Sequence, residues 1–134
     1  MPDTVAHQRP KLAVHKFSSC DGCQLAFLNL GERLLDLARM VDIVHFAEAG
    51  VVAPDAVVDI AFVEGSISTP DERERIRRIR ANSRFLVAIG ACATSGGPQA
   101  LRNIEPSSDW AKQIYASPQY IDTLAHSTGI GENV

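Results

Sequence analysis

The sequence predicts an open, parallel α/β sheet. Three observations carry that reading. Apolar runs and helical patterns alternate as strand–helix–strand–strand–helix–strand. The strand candidates are near-continuous apolar runs, as expected of strands covered on both faces. At 134 residues, the chain has the length of one domain with a real core.

The elements follow in order. KLAVHKF (Lys11 to Phe17) is a short apolar-rich run and reads as the first strand. From Gln24 to Met40 the pattern turns helical, with Phe27, Leu30, Leu34 and Leu37 recurring at spacings of three and four. Gly31 falls within that helix, where glycine costs roughly 1 kcal/mol against alanine. VDIVHF (Val41 to Phe46) is the second strand, AEAGVVAPDA a loop, and VVDIAFVEG (Val57 to Gly65) the third strand. Helix-start chemistry follows: Thr69 as N-cap, Pro70 as first helical residue and Glu72 as capping-box partner. Within ERERIRRIRANSR, Asp71 with Arg75 and Glu74 with Arg78 are spaced to pair along a solvated helix face, while Ile76 and Ile79 point inward. RFLVAIG (Arg84 to Gly90) is the fourth strand. A glycine-rich turn, GACATSGGP, follows it, then a short helix near Gln99 to Asn103. Residues 1–10 are expected to be disordered, and the tail from 105 to 134 carries only a helical flavour broken by Pro118. A sheet of this type calls for one more strand, so the chain is expected to lack its C-terminal portion.

Composition excludes several classes. Apolar content of 46% and charged content of 22% are ordinary for a globular protein. A net charge of −3 gives no footing for nucleic acid or an anionic membrane. No apolar run is long enough to span a bilayer. MPDTVAHQRPKL lacks the apolar core of a signal peptide. These features favour a cytoplasmic location, where thiols stay reduced and an odd number of cysteines points to metal binding, catalysis or burial.

The chain has three cysteines. Cys20 and Cys23 form a C-x-x-C just past the first strand, and Cys92 lies just past the fourth. Ligands of open α/β sheets bind outside the carboxyl ends of the strands, so all three thiols are expected on one edge. C-x-x-C admits a thioredoxin-like redox pair or metal and iron–sulfur ligation. Cys92 raises the weight of a cluster. Zinc with four cysteines normally uses two close pairs, and here the third cysteine stands alone. Gly22, Gly90, Gly96 and Gly97 would let backbone N–H groups approach cluster sulfurs. Glu64, directly after the third strand, is either a functional carboxylate on that edge or a solvated turn residue. His15 and His45 read as core or strand-face histidines, and His7 and His126 fall near the ends.

CDGCQLAFLNL, DIAFVEGSIS and LVAIGACATSGGPQALRN together resemble the small subunit of nickel–iron hydrogenases, on the cytosolic branch with the NAD(P)-linked hydrogenases and sulfhydrogenases. The similarity runs from about Lys11 to near the end. It implies a flavodoxin-like domain holding the proximal [4Fe–4S] cluster beside a nickel–iron large subunit, with further NAD(P)-linked electron-transfer subunits as partners. Catalysis would occur on the large subunit and not on this chain. Residue by residue, the resemblance implies that Cys20, Cys23 and Cys92 match three of the four cluster ligands. The fourth lies in a Gly-Cys-Pro motif that this sequence does not reach. Gly22 and Gly96 would line the cluster, and Glu64 and Asp21 would hold hydrogen bonds or move protons. Asp21 stands where many hydrogenases carry threonine. A related family, the cluster-bearing 20-kilodalton subunit of NADH dehydrogenase, begins its motif with adjacent cysteines. A further alternative is a non-catalytic flavodoxin-like module with a vestigial or zinc-filled cysteine site. Leu25, Ala26 and Ala93 flank the cysteines and are expected on the surface that the large subunit covers.

Overall fold

In the computed structural model, which describes residues 8–134, four strands form one parallel sheet. They are β1 (Lys11–Lys16), β2 (Asp42–Phe46), β3 (Val58–Glu64) and β4 (Ser83–Ile89), in the order β2-β1-β3-β4. This is the order of the first four strands of a flavodoxin-type sheet. The expected disorder of 1–10 falls mostly on residues outside those described, as does His7. Arg9, within them, pairs with Asp42 at 2.5 Å and anchors the approach to β1.

Helices cover both faces, as the apolar strands require. Alternation along β1 sends Ala13 one way and Leu12 and Val14 the other. Ala13 joins Phe17, Ala61, Val63 and Ile67 in a core closed by Ile76 and Ile79 of α3 (Pro70–Ala81). Leu12, Val14 and Phe46 form a second core under Phe27 and Leu28 of α1 (Gly22–Leu28). Side chains of this size stabilise by about 1.5–3 kcal/mol each when fully buried.

The helix expected over Gln24 to Met40 is two helices. It stops after Leu28 and resumes as α2 (Glu32–Met40). Gly31 sits at the break with φ of 58°, a left-handed conformation that is costly for any residue with a Cβ. The start of α3 is as expected in outline. Thr69 Oγ1 accepts from the Glu72 N–H at 3.2 Å, and Pro70 opens the helix. The Glu72 carboxylate, however, reaches Ser68 N–H at 3.3 Å and Ser18 Oγ at 2.8 Å, so it clamps the loop after β1 to the start of α3. Of the two expected surface pairs, Glu74–Arg78 forms at 3.3 Å. Asp71–Arg75 does not: Arg75 turns inward, stacks 4.1 Å above the Phe17 ring and donates to the Lys16 carbonyl.

The glycine-rich stretch after β4 is not a simple turn. Gly90–Ser95 form a short helix, α4, and a 3-10 segment runs over Gly97–Ile104. The tail, which carries little periodic signal, packs through specific contacts. α5 (Ser107–Ile114) leads into a segment whose Thr128 pairs antiparallel with Ile67, and Ile130 is 2% exposed. Ser127 is buried and held by Ser68, Arg102 and Asn103. The outer edge of β4 has no strand partner among the described residues.

Candidate functional site

The register of the sheet fixes where the cysteine loops open. Lys16 lies opposite Glu64, and Glu64 opposite Ile89, so β1, β3 and β4 end at one level. Cys20 and Cys23 follow the first of these ends, Glu64 is the second, and Cys92 follows the third. All three thiols therefore sit on the carboxyl edge. The chain order β1, β2, β3 against the spatial order β2-β1-β3 makes the gap between β1 and β3 a switch point, where doubly wound sheets hold ligands.

Backbone clearance ties the two cysteine loops together. A Cβ on Gly90 would lie 2.4 Å from Cys23 Sγ, so the β4–α4 turn passes directly against the thiol of the other loop. A Cβ on Gly97 would lie 2.6 Å from Cys92 Sγ and 2.9 Å from its Cα. Both glycines also have positive φ, 81° and 57°. Gly22 would meet Cys20 Sγ at 3.3 Å. A Cβ on Gly96 would instead meet Ala100 at 2.9 Å and the Ser127 carbonyl at 3.2 Å. Cys20 is exposed, while Cys23 and Cys92 are half-buried.

The polar surroundings are organised. Cys92 Sγ donates to Gln99 Oε1 at 3.3 Å, and Gln99 Nε2 donates to the Ser18 carbonyl at 2.6 Å. Glu64 is 1% exposed and accepts from Ser19 Oγ at 2.9 Å and Gln24 Nε2 at 3.0 Å. It is a buried, hydrogen-bonded carboxylate and not the solvated turn residue of the alternative reading. Asp21 holds φ of 69° and pairs with Lys16 Nζ at 2.6 Å. Burial first, then the Glu64 carboxylate and the thiols of Cys92 and Cys20, push the Cys23 thiol up from its ordinary pKa. Among the described residues, no three His, Cys, Asp or Glu side chains are grouped closely enough for one metal ion.

Sequence reasoning missed Ser19, Gln24 and Gln99. Gln24 alone left a signal: a polar residue directly after the C-x-x-C, at a position where α1 turns toward the core. Of the apolar residues expected on the outer surface, Leu25 is 50% exposed and Ala26 is exposed. Ala93 is fully buried, because α4 presses it into the core beside Ile67 and Ile130.

Comparison with known proteins agrees with this architecture. The chain is 36% identical over 107 residues to the sulfhydrogenase 2 subunit delta of Pyrococcus furiosus, covering 80% of this chain and 44% of that one. It is 25% identical over 113 residues to the iron–sulfur subunit of the F420-non-reducing hydrogenase of Archaeoglobus profundus, covering 78% and 35%. The chain thus spans less than half the length of these curated relatives. A crystal structure of an NAD+-reducing [NiFe]-hydrogenase in the H2-reduced state superposes with a TM-score of 0.83 and 27% identity, over 95% of this chain and 78% of that one. No helix among the described residues is long and apolar enough to cross a membrane. The model of the NADH ubiquinone oxidoreductase 20 Kd subunit family matches residues 20–126, from the first cysteine into the tail, and the chain belongs to that family.

Proposed function

We propose that this chain is the electron-transfer subunit of a [NiFe] hydrogenase and that Cys20, Cys23 and Cys92 hold its proximal [4Fe–4S] cluster. The observation that carries the reading is the convergence of three thiols from two loops on one sheet edge, with Gly90 and Gly97 clearing the backbone around two of them. A cluster spreads its thiolate ligands over several irons, so it does not require the tight grouping that one zinc ion requires. Such a cluster supplies one-electron transfer. The chain's own residues supply the rest. Gln99 positions the Cys92 thiol, and Gln24 and Ser19 hold the Glu64 carboxylate on that edge. The fourth ligand comes from outside the 134 residues. Hydrogen chemistry belongs to a nickel–iron large subunit, and electrons pass to or from NAD(P)-linked subunits. The similarity to sulfhydrogenase and NAD+-reducing hydrogenase supports those partners. The need for reduced thiols supports a cytoplasmic setting.

The test is anaerobic isolation of the complex containing this chain, with iron and acid-labile sulfide analysis, visible absorbance and electron paramagnetic resonance. Cys20→Ser, Cys23→Ser and Cys92→Ser should each remove or alter one cluster signal. Zinc without iron at the site would instead identify a zinc-filled module. Unchanged spectra in all three variants would refute the ligand assignment.

A further inference from the structure

Off the carboxyl ends of β1 and β2 lies a second recess, a cavity of about 250 Å³ lined by residues that include His15, Lys16, His45, Glu48 and Arg75. Its chemistry is unusual for a structural gap. His15 and His45 are 5% and 8% exposed and stack with ring centroids 4.6 Å apart. His45 Nδ1 accepts the Ala53 N–H at 3.0 Å, which leaves the proton of the neutral ring on Nε2 as a donor. Arg75 lies over Phe17 and reaches the Lys16 carbonyl, but it has no carboxylate partner within 4.0 Å among those residues, and its Nε is buried without any partner.

A half-buried cation without a counter-ion, its Nε buried and unpartnered, is costly unless an anion completes it. Burial lowers the Arg75 pKa, and the more distant Glu72 and Asp71 charges offset that only in part. The nearby carboxylates are committed elsewhere. Asp21 pairs with Lys16, Glu64 with Ser19 and Gln24, and Glu72 with Ser18 and Ser68. Burial and the Arg75 charge hold both imidazoles below their usual pKa, and His45 adds to the lowering at His15. Glu48 sits on the exposed rim and is the lining residue that opposes an anion.

We propose that this recess binds a phosphate group, through the Arg75 guanidinium and the His15 and His45 rings. Donors arriving from β1, β2 and α3 suit a tetrahedral acceptor better than a planar carboxylate, which a single guanidinium satisfies side-on.

Inorganic phosphate binding to the isolated complex, measured by calorimetry against chloride at equal ionic strength, tests this. One equivalent per chain is expected, weakened about tenfold or more in Arg75→Gln and in His15→Asn. Glu48→Gln, which removes the opposing charge, should strengthen binding, an effect that a purely structural role for the recess does not produce. Arg75→Lys and far-ultraviolet circular dichroism control for folding, and His15→Asn carries the test if Arg75→Gln does not fold. Absence of binding, equal binding in both weakened variants, or tighter binding of acetate than phosphate would overturn the proposal.

Discussion

Gly97 and Gly50 separate two effects that are normally confounded. Both hold positive φ, 57° and 83°, where a Cβ costs roughly 1–2 kcal/mol. Gly50 has open space around it, whereas a Cβ on Gly97 would strike Cys92 Sγ and backbone. Gly97→Ala should therefore lower the iron retained after anaerobic isolation, while Gly50→Ala lowers only the unfolding midpoint. Equal iron content in the two variants would show that the clearance at Cys92 does not matter. His15 offers a second residue-level test. Burial, then His45 and Arg75, lower its pKa from 6.5 to about 4. Between those values the unfolded chain binds more protons than the folded one, so stability is full above pH 6.5 and falls as pH drops toward 4. The linkage is on the order of 3 kcal/mol at most. Urea unfolding in phosphate-free buffer should show this acid loss, and His15→Asn should flatten it.

At the scale of elements, α3 depends on its first turn. Thr69 caps Glu72 N–H, and the Glu72 carboxylate in turn holds Ser18 and Ser68. Thr69→Ala should cost about 1 kcal/mol, read as a lower denaturant midpoint with an unchanged slope. Glu72→Ala should cost more, because it also frees the loop that leads to Cys20. A smaller loss than in Thr69→Ala would mean that the clamp contributes nothing. The break between α1 and α2 has a comparable logic. It lets α1 end after Leu28, packed on Phe62 and Phe46, while α2 leaves in a new direction.

At the scale of the molecule, one apolar region stands open beside the cysteines. Cys23, Ala26, Phe27, Leu30 and Ile89 line a shallow, nearly wholly apolar recess, and Leu25 projects next to it. Under the proposed function this is where a large subunit seats. Leu25→Asp should reduce co-purification with that partner while leaving the chain's own unfolding midpoint unchanged, since Leu25 is half exposed. Intact co-purification would remove this patch from the interface.

The sequence by itself determined the sheet class, all four strands to within one or two residues at each end, the Thr69–Pro70 helix start, and the cysteines as the residues to watch. These are local signals: apolar runs, cap chemistry and spacing, which one stretch of chain carries alone. The inward turn of Arg75 and the burial of Ala93 were not legible. Each depends on what another segment brings to the same place. Arg75 has a good surface partner four residues away, yet the Phe17 ring and the Lys16 carbonyl of β1 hold it instead. The tail shows the same limit most clearly. Its weak periodicity hides Ser127, Thr128 and Ile130, whose partners Ser68, Ile67 and the α4 helix lie far back in the chain. Glu64 belongs to both accounts. Its position at the end of a strand placed it on the carboxyl edge, but only the fold, by bringing Ser19 and Gln24 over it, decided that it is buried and hydrogen-bonded, because a carboxylate leaves water only where other segments supply donors.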